Sequence, residues 1–95
     1  MRQYELMMLI NPEADADRLE AVVERVRRIA SEHGGEIVSE NNWGRRKLAY
    51  KIGPFTEANY HLANLEMEGA GTKALDNALK LTDDVLRHLL IRQDD

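Results

Sequence analysis

The spacing of apolar residues along the chain switches between a two-residue and a three-to-four-residue repeat, and the switches divide it into six elements. Over residues 4–10, Tyr4, Leu6, Met8 and Ile10 alternate with Glu5, Met7 and Leu9. An apolar run on both sides suits a central strand, which Asn11-Pro12 ends. Leu19, Val22, Val23, Val26, Ile29 and Ala30 then recur at helical spacing and predict an amphipathic helix over residues 14–33. Asp15 or Asp17 can cap its start, Glu24 and Arg28 form an exposed pair four apart, and Gly34-Gly35 supplies a left-handed stop.

Residues 36–52 predict a long strand in two pieces. Ile37 and Val38 mark the first, and Leu48, Tyr50 and Ile52 alternating with Lys47, Ala49 and Lys51 mark the second. Asn41, Asn42 and Gly44 interrupt it, which implies a bulge or bend. Gly53-Pro54 and the polar Thr56-Glu57-Ala58-Asn59 then predict a loop. Alternation resumes over residues 60–67, with His61, Ala63, Leu65 and Met67 on one side and Tyr60, Leu62, Asn64 and Glu66 on the other. A turn at 69–71 leads to a second helix with Thr72 as its cap and Leu75, Ala78 and Leu79 on its apolar stripe, reaching Leu81 at most. Asp83-Asp84 breaks that helix, an aliphatic strand covers residues 85–92, and Gln93-Asp94-Asp95 reads as a frayed tail.

The order β-α-β-β-α-β with two single-striped helices predicts an α+β fold. It is the ferredoxin-like split β-α-β, a four-stranded antiparallel sheet with two helices on one face. Such a sheet leaves its other face open. Tyr4, Met7, Leu9, Tyr60 and Leu62 are too many apolar residues for the helix-covered side alone, so some of them belong on the open face as surface apolar area or as a partner-binding patch.

Ninety-five residues predict a single domain over 1–95 with one modest core. No apolar run approaches the roughly 20 residues that span a bilayer, the N-terminal residues lack a secretory signal's apolar stretch, and no membrane association is expected. The absence of cysteine excludes disulfides, thiolate metal sites and cysteine nucleophiles, and makes the cytoplasm the default compartment. His33, His61 and His88 stand in no metal-ligand spacing. Asp83-Asp84 and Asp94-Asp95 sit at a turn and a tail, and Gly69-Ala70-Gly71 lacks the remainder of a phosphate-loop signature. No nucleophile, base and oxyanion donor assemble, so neither an enzyme activity nor a metal or cofactor is expected.

Seventeen acidic against thirteen basic residues give a net charge of −4, which argues against a nucleic-acid coat protein. One segment departs from that average. Residues 41–52 hold Arg45, Arg46, Lys47 and Lys51 and no acid, together with Trp43 and Tyr50. Removing this +4 leaves −8 on the rest of the chain, so the charge is polarised. Local charge governs counterion release at phosphates, and the segment therefore suits contact with RNA or an acidic partner. The competing reading is an edge strand kept from aggregating by its Arg and Lys residues, with Trp43 packed beside it.

Met1-Arg2-Gln3-Tyr4-Glu5-Leu6, Asn11-Pro12, Trp43-Gly44-Arg45-Arg46-Lys47-Leu48-Ala49-Tyr50-Lys51-Ile52 and Val85-Leu86-Arg87-His88-Leu89-Leu90-Ile91-Arg92 together resemble the family of bacterial small-subunit ribosomal protein six. The resemblance runs over the whole chain in order. The Trp-Gly-Arg-Arg-x-Leu-Ala-Tyr stretch is its most specific part, because packing alone gives a ferredoxin-like domain no reason to carry it. Lys51 stands where many members have proline, and the long acidic tail of some members is missing.

The resemblance implies a structural constituent of the small ribosomal subunit in the cytoplasm. Its partners would be the central domain of small-subunit (16S) rRNA and small-subunit ribosomal protein eighteen, with no small-molecule substrate. On that basis Arg2, Arg45, Arg46, Lys47 and Arg87, and more weakly Arg92, are candidates for phosphate contact. Tyr4 and Trp43 are candidates to stack on bases or riboses, or to pack on the partner protein. The acidic body is expected to face away from RNA and toward the basic partner.

Three other readings share the fold, which alone decides no function. The first is a small-molecule-binding regulatory module. An acylphosphatase-like hydrolase is opposed by the acids and proline of Asn11-Pro12-Glu13-Ala14-Asp15, where a phosphate loop would lie. An RNA-recognition-motif reading is opposed by the lack of its aromatic and glycine pattern in residues 60–67.

Overall fold

A computed structural model describes residues 1–93; of the expected tail, Asp94 and Asp95 lie outside the described residues, while Gln93 donates its backbone N–H to the Gln3 carbonyl at 2.8 Å. Those residues form β1 (Arg2–Ile10), α1 (Ala16–Glu32), β2 (Glu36–Ile52), β3 (Phe55–Met67), α2 (Gly71–Lys80) and β4 (Val85–Arg92). The strands make one antiparallel sheet in the order β2-β3-β1-β4, so the two-sided apolar β1 is central. This is the expected α+β architecture.

Register assigns the faces. Tyr4 pairs with Leu65, Leu6 with Ala63 and Met8 with His61, and these residues are buried with Ile10 and Met67 beneath the helices. Val22, Val26 and Ile29 of α1 and Leu75 and Leu79 of α2 complete that core. His61 is the polar residue buried there among the described residues, and its Nε2 lies 3.1 Å from Glu40 Oε2 on β2. The alternate parity, Gln3, Glu5, Met7 and Leu9 on β1 with Tyr60, Leu62, Asn64 and Glu66 on β3, is less buried and forms the open face.

Asp15, rather than Asp17, caps α1: its side chain accepts from the Arg18 backbone N–H at 2.9 Å. Glu24 is bound by Arg27, three residues on, and not by Arg28. Gly34 ends the helix at φ +78° as expected. Thr72 does not cap α2. The N-cap position is Ala70, with no side-chain bond, and the Thr72 hydroxyl instead donates back to the Gly69 carbonyl at 2.9 Å. Leu81 falls just past the helix end and is exposed.

The largest departure is the expected loop after Gly53-Pro54. Phe55–Asn59 is strand, because Ile52 pairs with Phe55 around a two-residue turn whose Gly53 has φ +57°. Positive φ followed by proline suits a tight hairpin connection. The last β1 residue, Ile10, pairs with Asn59, so residues 46–58 extend beyond the rest of the sheet as a two-stranded arm. The predicted irregularity is present: the β2 register slips between Asn42 and Gly44, where Gly44 has φ +80° and donates its N–H to Asn42 Oδ1 at 2.8 Å. Further slips occur at Ile37/Ser39 and between Lys47 and Ile52.

Candidate nucleic-acid interface

Across the open face, paired residues form rows. Nearest the arm, Gly44, Tyr60, Leu9 and Arg87 stand side by side; next come Asn41, Leu62, Met7 and Leu89; then Ser39, Asn64, Glu5 and Ile91; and finally Glu36, Glu66 and Gln3. The face is thus basic and aromatic at the arm end, apolar in the middle and acidic at the far end. Leu89 and Ile91 are 58% and 42% exposed, so the middle is a solvent-facing apolar band rather than a second core.

The bulge at Asn42/Gly44 aims Trp43 onto this face. Its ring lies parallel to that of Tyr60, with centroids 6.5 Å apart and planes within 6°. The Arg46 guanidinium sits 5.4 Å from the Trp43 ring centroid, and Arg46 Nε donates to the Trp43 carbonyl at 3.4 Å. A cation held over an indole keeps its outward N–H groups for an anion, while the ring presents apolar area beside it. Leu48, Tyr50 and Ile52, from the part of β2 that slips out of register, border a concavity of about 160 Å³ with Leu9, Tyr60 and Arg87. Tyr50 itself is 82% exposed.

Strand alternation separates the three consecutive cations. Arg46 pairs with Ala58, on the Tyr60 side of the arm; Arg45 and Lys47 pair with Asn59 and Glu57, on the opposite side. Arg45 Nε lies 2.6 Å from Glu57 Oε2. The structure therefore brings Trp43, Arg46 and Arg87 together with Tyr60 and turns Arg45 and Lys47 away from them.

Arg2 and Arg92 lie elsewhere. They pair with Met67 and Tyr4, on the helix-covered side at the far end of the sheet, and Arg2 packs beside Gly69. Seven β1 steps separate Arg2 from the Leu9–Arg87 row, roughly 23 Å along the strand. Tyr4 is corrected outright as a stacking residue: it is a core residue, 5% exposed, because it shares the parity of Leu6, Met8 and Ile10. Tyr60 was expected only as open-face apolar area or part of a partner-binding patch, and Leu89 and Ile91 were not among the expected site residues. The alternation of Arg87, Leu89 and Ile91 against His88, Leu90 and Arg92 was the signal for the last two.

Two ion-paired clusters support the surroundings. Arg18 of α1 grips Asp84 before β4 through Nε (3.1 Å) and Nη2, and holds the Asp84 carboxyl below its ordinary range. His88 Nε2 lies 2.7 Å from Asp76 Oδ1, tying β4 to α2; that contact, followed by Lys80, lowers the Asp76 pKa. Among the described residues no three His, Asp or Glu side chains gather as a metal site, and no helix is long and apolar enough to cross a membrane.

A family model described as Ribosomal protein S6 matches residues 3–92. The small ribosomal subunit protein bS6 of Carboxydothermus hydrogenoformans is 37% identical over 94 residues, covering 99% of this chain and 98% of that protein. The bS6 protein of Desulforamulus reducens is 37% identical over 93 residues, 98% of each. The crystal structure of 30S ribosomal protein S6 from Thermotoga maritima superposes with a TM-score of 0.86 at 32% identity, over 97% of this chain and 87% of that one. The C-terminal domain of the MgtC protein from Mycobacterium tuberculosis, with a TM-score of 0.65 at 14% identity, shares the fold alone.

Proposed function

The chain belongs to the ribosomal protein S6 family, and from that premise we propose that it is a non-catalytic constituent of the small ribosomal subunit in the cytoplasm. In this reading it binds the central domain of 16S rRNA together with small-subunit ribosomal protein eighteen. The observation that carries the RNA contact is the Trp43, Tyr60, Arg46 and Arg87 group at the arm end of the open face. Arg46 and Arg87 would pair with phosphates, which position a protein without reading bases, and the aromatic rings would offer a stacking surface. Arg2 and Arg92 are too distant to share that contact. The basic partner would cover the Leu62, Met7 and Leu89 band and meet the acids Glu5, Glu36 and Glu66.

The test is RNA affinity across a salt series, for the chain alone and with its basic partner. Alone, a chain of net charge −4 binds weakly; with the partner it binds tightly and with a steep salt dependence. Reversing Arg46 and Arg87 together removes two phosphate contacts and flattens the slope of log K against log salt by about 1.5. Tight binding by the chain alone, or a complex indifferent to both reversals, refutes the reading.

A further inference from the structure

The arm carries cations on both sides, and one side also carries an acid. Arg46 lies on the Trp43 side, where its contacts are the indole ring and the Trp43 carbonyl. On the other side Glu57 binds Arg45 at 2.6 Å and stands directly across the ladder from Lys47. Directly paired side chains have Cβ atoms about 5 Å apart, so Glu57 sits within Coulomb range of both cations. The two cations and one carboxylate leave a net charge of +1 there, where an uncharged residue at 57 would leave +2.

We propose that Glu57 masks the back of the arm, so that RNA engages only the side bearing Trp43 and Arg46. The inference rests on the RNA-binding reading above. A two-stranded arm with three consecutive cations would otherwise attract phosphates from either side, and polyelectrolyte attraction is independent of sequence. By occupying Arg45 and facing Lys47, Glu57 lowers binding to arbitrary RNA without touching the side that docks. Glu57 is thus a specificity-determining residue that acts through Arg45.

The test uses Glu57→Gln, Glu57→Asp, Arg45→Gln and the Glu57→Gln/Arg45→Gln double variant, against a single-stranded poly-uridine oligonucleotide and against central-domain RNA with the basic partner. For poly-uridine, Glu57→Gln steepens the salt slope by about 0.7 for each cation released, and an increment of 0.7 is about threefold in affinity between 50 and 200 mM salt. Glu57→Asp keeps the wild-type slope. Arg45→Gln has little effect where Glu57 is present and takes back about 0.7 where it is not, a non-additivity that a merely structural role for Glu57 would not produce. Central-domain RNA binds the Glu57→Gln complex within twofold of wild type. An unchanged poly-uridine slope in Glu57→Gln overturns the masking role and leaves the RNA reading standing, as does an equal steepening for central-domain RNA. Failure of the wild-type complex to bind central-domain RNA overturns both.

Discussion

Gly35 connects α1 to β2, and replacing it with alanine should destabilise the fold more than any other single methyl group added at a glycine with φ outside the left-handed region. A Cβ built there stands 1.7 Å from the Glu66 carbonyl oxygen, 2.5 Å from its carbon and 2.7 Å from Met67 Cα, all backbone atoms that cannot rotate aside. Relief to an ordinary contact requires a retreat of about 1.5 Å or more. That retreat occurs where Glu36 pairs with Glu66 and Ile37 with Leu65, and where the Glu68 N–H donates to the His33 carbonyl at 2.9 Å. Overpacking costs about 1–3 kcal/mol, and loosening two backbone hydrogen bonds adds about 1 kcal/mol each, so Gly35→Ala should lose about 3–5 kcal/mol. Gly44→Ala is the matched control, since no atom lies within 4 Å of its Cβ but its φ of +80° opposes any side chain. That strain costs about 1–2 kcal/mol. In urea unfolding followed by circular dichroism, with a slope of about 1.5 kcal/mol/M, the midpoint falls by about 2 M or more for Gly35→Ala and about 1 M for Gly44→Ala. A Gly35→Ala midpoint no lower than that of Gly44→Ala refutes the steric reasoning.

Asp76 and Asp84 both have pKa values lowered in the folded state, by His88 then Lys80 and by Arg18 respectively. Their contributions are therefore complete above the unfolded carboxylate value of about 4 and are lost as pH falls through the lowered folded values. Asp76→Asn and Asp84→Asn should each lower stability at pH 7 and flatten its acid limb in a series of urea midpoints from pH 7 to 2; a parallel acid limb refutes the assignment. Asp15→Ala removes the acceptor for the Arg18 N–H and should cost about 1 kcal/mol, read as a lower urea midpoint. Leu89→Glu, at a position 58% exposed, should leave that midpoint within about 0.5 kcal/mol of wild type and weaken partner binding at least tenfold by calorimetry.

Periodicity made most of the fold legible. β4 spans the predicted residues, and the stripe of Val22, Val26 and Ile29 is the face that α1 buries. The arm was not legible, for a physical reason: beyond Asn59, toward the hairpin turn, the two strands have no β1 alongside. Thr56, Glu57 and Asn59 consequently show no apolar alternation. Pairing with β2 makes them strand, and pairing leaves no mark in local composition. β1 posed the opposite difficulty. With Met7 and Leu9 apolar as well as Leu6 and Met8, its alternation could not say which parity the helices cover, and Tyr4 was misplaced on that account. The candidate site was half legible: the composition of 41–52 located the basic arm, but cations at 45, 46 and 47 in an extended strand cannot share a side. Partition between the two sides depends on a register that slips three residues from Arg46, at Asn42/Gly44.

The net charge of −4 takes a different meaning once its placement is known. On the open face Glu66 and Gln3 close one end and Arg87 and Arg46 the other, and the six β1 steps from Gln3 to Leu9 span roughly 20 Å. The Debye length is about 8 Å at 0.15 M salt, so phosphates docked as proposed at Arg46 and Arg87 would lie more than two screening lengths from the acidic end. At about 0.01 M that length grows to about 30 Å, and the acids oppose the same phosphates. Total charge therefore governs encounter at low salt, and local charge governs the docked contact at physiological salt. In the proposed RNA contact, the acidic body would limit indiscriminate RNA binding without weakening the docked contact at the arm. A basic partner seated over Glu5, Glu36 and Glu66 would remove even the low-salt penalty, which is the physical ground on which the proposed pair would bind RNA better than the chain alone.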